Sequence, residues 1–209
     1  MPASWRPIRT LSAHRLTATT TQQLSKLWLV SATDYHEFLA IRLYTTNLYP
    51  TINHHLRYQH NDKVVPVVEA LQQGLQKLAQ EPEHQAASPL YRGISKNMSD
   101  EEVHTRFALD RPYRDSAFMS TSLNPQKAFI PGTRVELTLT TQSAVNVRAF
   151  AEYKDEEEAL IRPNTPFQVQ QMEKQEGVWH ISLTEMQETE PTGQAVSSNE
   201  PEQHRTEKG

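Results

Sequence analysis

Two glutamates at the end of an acidic run could share one chemical task. Asp155, Glu156, Glu157 and Glu158 stand directly before the apolar residues 159–161. A strand through this run would point Glu156 and Glu158 to one face at about 7 Å spacing, because alternate strand residues share a face. Paired carboxylates can accept a proton or stabilise a developing positive charge. The competing interpretation is a solvated acidic turn beside an edge strand.

The composition narrows the classes of protein that this chain can belong to. Its 209 residues, 36% of them apolar, suit one globular domain with a substantial core. A net charge of -4 provides no general basic field for nucleic acid or an anionic membrane. The absence of cysteine excludes disulfides, thiolate zinc sites and a cysteine nucleophile.

The apolar residues are too dispersed for a membrane segment. No stretch approaches the ~20 apolar residues of a membrane helix, and residues 1–7 lack the apolar core of a secretory signal. We therefore expect a soluble chain made in the cytoplasm. If it acts outside the producing cell, export would use no cleavable signal peptide.

The elements that must position the two glutamates begin with helices. Asp34 and Glu37 have the spacing of an N-terminal cap, and Pro50 and Pro66 suit first helical turns. These signals predict helices between residues 34 and 78. The apolar stripe predicted for the first helix consists of Tyr35, Phe38, Leu39 and Leu43.

Strand patterns replace the helical ones from about residue 89. One further helix is predicted where Ser99 and Glu102 have capping-box spacing. Alternating apolar residues predict strands near residues 135–139, 145–147, 167–169 and 178–183. Helices followed by strands predict an α+β fold.

Three segments of the strand-rich half carry reactive residue types. They are residues 90–93 (Leu-Tyr-Arg-Gly), 118–122 (Phe-Met-Ser-Thr-Ser) and 156–161 (Glu-Glu-Glu-Ala-Leu-Ile). Singly, such an arginine more often makes a structural salt bridge, and Ser-Thr-Ser is usually a turn or strand edge. In this order they resemble the Arg-Ser-Glu class of mono-ADP-ribosyltransferases, which includes clostridial binary toxins and Rho-modifying exoenzymes. Residues 44–57 are similar to a helical segment of that family, so the resemblance covers about residues 31–185.

The resemblance implies a fold, a co-substrate and a domain organisation. N-terminal helices would pack on a split core of two mixed or antiparallel sheets, as in ADP-ribosyltransferase toxins. The catalytic domain would span residues 31–186. Residues 1–30 would form a poorly defined leader, and the polar composition of residues 187–209 predicts a disordered tail. NAD would be the co-substrate. No metal is expected, since His54 and His55 are adjacent on a predicted helix and point in different directions.

The resemblance also implies which residues hold NAD. Arg92 would bind the phosphates and ribose, for which a planar guanidinium with parallel donors is well suited. Ser120 would orient the catalytic glutamate, and Phe129 and Arg134 would belong to the loop that closes over the nicotinamide and phosphate end. The complete implied cofactor-binding set is Arg92, Gly93, Ser120, Thr121, Phe129, Arg134 and Glu158.

The resemblance implies a separate role for each glutamate of the acidic run. Glu158 matches the family's invariant glutamate, whose bond to the ribose 2′-hydroxyl stabilises an oxocarbenium-like transition state. Glu156 would bind an acceptor arginine and take its proton, whereas a glutamine there would accompany an asparagine acceptor. Tyr153 would recognise the acceptor, with an ordinary exposed loop tyrosine as the alternative. Glu157 would face away as a spacer.

The implied activity is transfer of ADP-ribose from NAD to an arginine of a target protein by Arg92, Ser120, Glu156 and Glu158. The resemblance further implies that the chain is a bacterial or phage effector or toxin that is secreted or delivered into another cell. An immunity protein or chaperone would be a further partner. The alternatives are NAD hydrolysis, a nucleic-acid acceptor, which the net charge disfavours, and an NAD-binding pseudoenzyme. The four intact residues argue against the pseudoenzyme.

Overall fold

The computed structural model describes residues 34–59, 62–94 and 98–187. The predicted leader and residues 188–209 of the predicted tail lie outside this part of the chain. Within it, no helix is long and apolar enough to cross a lipid bilayer.

Helices form the first half of the described chain, as predicted. In chain order they are α1 (Tyr35–Leu43), a π-helical turn (Tyr44–Leu48), α2 (Tyr49–Tyr58) and α3 (Val65–Leu78); α4 (Asp100–Arg106) and α5 (Pro125–Ala128) follow among the strands. Three 3-10 turns accompany them, at Asp62–Val64, Pro82–His84 and Lys154–Glu156.

Local sequence signals account for where these helices begin. The predicted N-terminal cap of α1, Asp34 with Glu37, is confirmed and forms a complete capping box. The predicted capping box of α4, Ser99 with Glu102, is also confirmed. Prolines stand in the first turns of α2 and α3, where a missing N–H costs nothing.

The predicted apolar face of α1 is wrong at its two ends. Tyr35 and Leu43 are 54% and 36% exposed, whereas Phe38 and Ile41 are buried. The reason is close packing of α1 on α3 at Gly74, where an added Cβ would lie 3.2 Å from the Ile41 side chain. This contact selects the buried face.

The strands form one sheet of seven. In chain order they are β1 (Leu90–Ile94), β2 (Met119–Ser122), β3 (Val135–Thr140), β4 (Val145–Asn146), β5 (Glu158–Ile161), β6 (Phe167–Gln175) and β7 (Val178–Glu185). Their spatial order is β4-β5-β2-β1-β3-β7-β6. β3 and β7 are parallel and the other pairs are antiparallel.

The expected division into two sheets is corrected to a continuous sheet with a narrow seam. β1 pairs along its whole length with β3 but shares only the register Tyr91–Ser122 with β2. The hydrogen-bonded ladder therefore continues between the two halves, but through one pair of residues. Side chains of β1 and β2 next to this seam are free to face a cleft.

Two apolar cores lie on opposite sides of the sheet. Leu160 of β5 contributes to the core formed with the helices, which contains Phe38, Leu71 and Phe118. Its neighbours Ala159 and Ile161 contribute to the other core. Alternation along β5 thus buries both of its faces and holds the residue at its start, Glu158, rigidly in place.

Candidate active site

Arg92, Ser120 and Glu158 meet at the seam between β1 and β2. The Ser120 hydroxyl donates a hydrogen bond of 2.6 Å to Oε1 of Glu158. The Arg92 guanidinium donates one of 2.7 Å to the backbone oxygen of Ser120. All three residues line a cleft of about 420 Å³. The structure therefore brings together three residues that stand 28 and 38 positions apart in the chain.

Glu158 is a buried acid with a strongly altered proton affinity. Glu158 is 5% exposed. Burial is the largest effect and raises the pKa of Glu158 to about 7. The hydrogen bond from Ser120 and the positive charge of Arg92 lower this pKa, whereas the negative charge of Glu156 raises it further. Near neutral pH, both the acid and the carboxylate are populated.

Glu156 lines the same cleft, but it does not lie on a strand as predicted. It ends the 3-10 turn Lys154–Glu156, and β5 begins only at Glu158. Glu157 between them is left-handed, with φ of 51°, so strand alternation cannot place the pair. The prediction of a common strand face is wrong, yet Glu156 and Glu158 both line the cleft.

The backbone of this turn is held by the residues that follow Ser120. The Ser122 hydroxyl donates to the Glu156 carbonyl at 2.7 Å, and the Leu123 N–H donates to the Glu157 carbonyl at 3.1 Å. Ser122 was not predicted as a site residue. Nothing in the Ser-Thr-Ser sequence shows which of its hydroxyls faces the turn.

The first two glutamates of the run have different surroundings. Partial burial, followed by the charge of Asp155, raises the pKa of Glu156, against the opposing charge of Lys127. The Glu157 carboxylate instead lies 3.6 Å from the Arg148 guanidinium. Glu157 does not line the cleft, which agrees with the role of a spacer.

A second cavity of about 270 Å³ adjoins the cleft and shares Ser120, Glu156 and Glu158 with it. One wall is the π-helical turn Tyr44–Leu48 with Tyr49, and the other is the loop of residues 147–157, hereafter the β4–β5 loop. Tyr153 of this loop is 48% exposed and lines the cavity. Tyr49 lines both spaces and was not predicted, although its aromatic type and its place directly before Pro50 were visible in the sequence.

The helical segment of residues 44–57 supports β2 from behind. Tyr44 is fully buried and donates to the Phe118 carbonyl at 3.2 Å. Asn53 donates to the Tyr44 hydroxyl at 3.0 Å and to the same carbonyl at 3.2 Å. Burial raises the pKa of Tyr44 well above its usual range. These bonds fix the backbone two residues before Ser120.

Gly93 and Thr121 line the cleft, each with a structural constraint. A Cβ on Gly93 would lie 2.4 Å from the Ala128 carbonyl, so no larger residue fits beneath α5 without a shift. The Thr121 hydroxyl donates to the Ala159 carbonyl at 2.7 Å and is therefore committed to the β2–β5 pair.

Phe129 and Arg134 do not line either cavity. Phe129 packs edge-on against Tyr91, a residue of the cleft, with 5.7 Å between ring centroids. Arg134 is exposed, and its backbone bonds to Ile94 and Trp179. Their assignment to an NAD-closing loop remains a prediction.

Two other features of the described residues lie apart from the acids. Glu81, Glu83 and His84 form the one group of potential cation ligands found among them, and none of the three lines the cleft. A larger groove of about 620 Å³ is lined by Arg114, Arg162, Glu185 and several amide side chains, but it contains neither Glu156 nor Glu158. The smaller cleft, where Arg92 meets two carboxylates whose pKa values are raised, is the candidate active site.

Comparison with protein families gives a match over most of the chain. Residues 13–191 match the family described as ART, NAD:arginine ADP-ribosyltransferase. Among curated proteins, no match was found.

Several solved structures share the fold. Exoenzyme S from Pseudomonas aeruginosa, in a complex with human 14-3-3 protein beta and bound to carba-NAD, is 22% identical (TM-score 0.66, 88% of this chain and 90% of that chain covered). The type III effector XopAI from Xanthomonas axonopodis pv. citri is 17% identical (0.68, 81% and 76%). ADP-ribosyltransferase Vis, in complex with agmatine, is 18% identical (0.61, 88% and 89%).

Proposed function

The chain belongs to the NAD:arginine ADP-ribosyltransferase family, in its Arg-Ser-Glu class, and we propose that it transfers ADP-ribose from NAD to arginine side chains of a target protein. The observation that carries the proposal is the buried Glu158 bonded to Ser120, with a second carboxylate, Glu156, in the same cleft. NAD-dependent mono-ADP-ribosyl transfer is the activity of the family. That the acceptor is an arginine, and that the protein acts as an effector, are our proposals.

Arg92 and Gly93 suit the diphosphate end of NAD. A guanidinium has five N–H donors, and the Ser120 carbonyl uses one of those of Arg92. The remaining donors can pair with phosphate oxygens. Gly93, the next residue, lets α5 approach β1 closely at this side of the cleft, because a Cβ there would lie 2.4 Å from the Ala128 carbonyl.

Glu158 would stabilise the ribose as the glycosidic bond breaks. Nicotinamide leaves with the bonding electron pair and becomes neutral, so no general acid is required. Positive charge then develops on the ribose, and a carboxylate bonded to the 2′-hydroxyl gains stabilising energy as the charge grows. Ser120 keeps the carboxylate in one orientation and favours its ionised form.

Glu156 would serve the acceptor. An arginine guanidinium is protonated below a pH of about 12, so a nitrogen that attacks C1′ must lose its proton. The new C–N bond forms as the bond to nicotinamide breaks, and the proton goes to Glu156. The raised pKa of Glu156 supports this role, because it brings the carboxylate closer to the affinity that a base needs at neutral pH.

We further propose that the protein is a bacterial effector that acts inside another cell. The support is its fold, which it shares with XopAI, a type III effector, and with exoenzyme S. This likeness concerns fold, so the role rests on analogy.

The test uses tagged NAD with agmatine, a small guanidinium compound, and separately with a eukaryotic cell lysate. Label on agmatine, and on arginine side chains identified by mass spectrometry, is expected. Glu158→Ala should abolish both labelling and nicotinamide release, while Glu157→Gln, the matched control, should retain both. Labelling that persists in Glu158→Ala, or label on nucleic acid instead of protein, would contradict the proposal.

Glu156→Gln separates transfer from NAD hydrolysis. Transfer to agmatine should fall about 100-fold through loss of the base, while nicotinamide release without acceptor should change only about threefold. Equal loss of both activities would refute the acceptor role of Glu156. Nicotinamide release by the wild-type protein with no adduct on any acceptor would identify an NAD glycohydrolase.

A further inference from the structure

The helical wall of the second cavity is joined to the β4–β5 loop at Glu152. The Glu152 N–H donates to the Thr45 hydroxyl at 3.0 Å. Arg42, in the last turn of α1, donates to the Glu152 carboxylate and, at 3.4 Å, to the Phe150 carbonyl. We propose that Thr45 and Arg42 are positioning residues that hold this loop so that ADP-ribose passes to an arginine acceptor rather than to water. This inference rests on the proposed arginine transfer.

The Thr45 hydroxyl makes two hydrogen bonds, and the residue that carries it is buried. It donates to the Arg42 carbonyl at 2.9 Å while it accepts from Glu152, and the residue is 6% exposed. Water cannot easily replace either bond at a buried position. The link between the helical wall and Glu152 therefore depends on the single hydroxyl group of Thr45.

The π-helical turn explains why Thr45 faces the loop. The helix is interrupted here, and Thr46 adopts a non-helical conformation with φ of −98° and ψ of −152°. Such π-helical interruptions cost backbone stability and occur frequently at functional sites. Here the interruption lies where the helix forms one wall of the second cavity.

The loop is fastened at both ends of its short 3-10 turn. Glu152, held by Thr45, directly precedes Tyr153, and the turn ends at Glu156, whose carbonyl is held by Ser122. Loss of the Glu152 anchor would loosen the loop on the side of Tyr153, where the bond from Arg148 to the Lys154 carbonyl, at 3.1 Å, would remain.

Glu158 depends on a different set of contacts. It lies on β5, in register with β2, and is held by the Ser120 hydroxyl. A change at Thr45 should therefore affect transfer to the acceptor more than cleavage of NAD. Transfer requires the acceptor to be placed accurately, and a small misplacement lowers its rate strongly. Arg42 should matter less than Thr45, since its ion pair with Glu152 is partly exposed.

The experiment compares Thr45→Val, which keeps the shape but removes the hydroxyl, with Thr45→Ser, which keeps both hydrogen bonds. Thr165→Val is the matched control, since Thr165 also donates to a carbonyl three residues earlier, at 2.9 Å, but lies outside both cavities. Agmatine labelling and acceptor-free nicotinamide release are measured on the same preparations. For Thr45→Val, kcat/KM for transfer should fall about tenfold and release about twofold at most, whereas Thr45→Ser and Thr165→Val should stay within about twofold of wild type in both.

Different outcomes refute different claims. Equal loss of transfer and release in Thr45→Val would indicate a purely structural residue and overturn the inference. If Thr45→Val does not fold, Arg42→Gln provides the test, with an expected fall of about threefold in the ratio of transfer to release. An unchanged ratio there would also overturn the inference. Absence of agmatine labelling by the wild-type protein would instead refute the proposed function.

Discussion

Replacement of Glu158 by glutamine should stabilise the folded protein above pH 7 while it abolishes NAD cleavage. Glutamine keeps an oxygen that can accept the hydrogen bond from Ser120, now 2.6 Å long. It removes the ability to ionise and replaces the other oxygen by an NH2 group of nearly the same size. The substitution therefore isolates the cost of a buried negative charge from the cost of a lost contact.

The magnitude follows from the proton affinity of Glu158. Its pKa rises from 4.5 to about 7 on folding, chiefly because of burial. The folded state then binds the proton more tightly than the unfolded state, so the free energy of unfolding falls as the pH rises from 4.5 to about 7 and remains lowered above that. Each tenfold change in proton affinity is worth about 1.4 kcal/mol, which amounts to about 3 kcal/mol in total.

The assay is thermal or urea unfolding at pH 5 and pH 8.5. At pH 5 folded Glu158 is largely protonated and glutamine resembles it, so the variant should gain less than about 1 kcal/mol there. At pH 8.5 the variant should gain about 3 kcal/mol, or roughly 6 to 12 °C in melting temperature for a chain of this length. Glu157→Gln is the control, because its carboxylate lies outside the cleft beside Arg148.

Two results would refute this reasoning. The first is no gain in stability for Glu158→Gln at pH 8.5. The second is a gain of the same size at both pH values, which would show that packing rather than ionisation is responsible. A gain confined to high pH together with loss of nicotinamide release would show that the wild-type protein sacrifices stability for its chemistry.

Three further outcomes can be checked on the same material. For NAD cleavage, kcat/KM should rise about tenfold per pH unit in acid and level off above about 7, because Glu158 must be ionised; a flat pH profile would contradict this. Gly93→Ala should destabilise the protein by about 2 kcal/mol, measured by urea unfolding, since its Cβ would meet the Ala128 carbonyl at 2.4 Å. Asp115→Ala should cost about 3 to 5 kcal/mol, because Asp115 is buried and paired through two oxygens with Arg57, and an unchanged melting temperature would disprove that estimate.

Much of the fold and site could be predicted because the signals are local. The capping pairs Asp34 with Glu37 and Ser99 with Glu102 are three residues apart, and strand alternation has a period of two. Such patterns depend on near neighbours and are visible in one chain. The order of Arg92, Ser120 and Glu158 was sufficient to indicate the family.

The acidic run shows where sequence patterns fail. Glu156 and Glu158 were predicted to share a strand face, but left-handed Glu157 interrupts the strand. A residue with positive φ has no reliable signal unless it is glycine or asparagine. The two acids converge because Ser122, far away in sequence, holds the turn.

The sequence by itself determined the residue types, their order, and the helices and strands that carry them, because these depend on local spacing. Only the tertiary structure decided the raised pKa of Glu158, the narrow seam between β1 and β2, and the anchor between Thr45 and Glu152. Each of these depends on groups that are distant in the chain. Burial and hydrogen-bond geometry arise only when those groups pack together, so no local pattern can encode them.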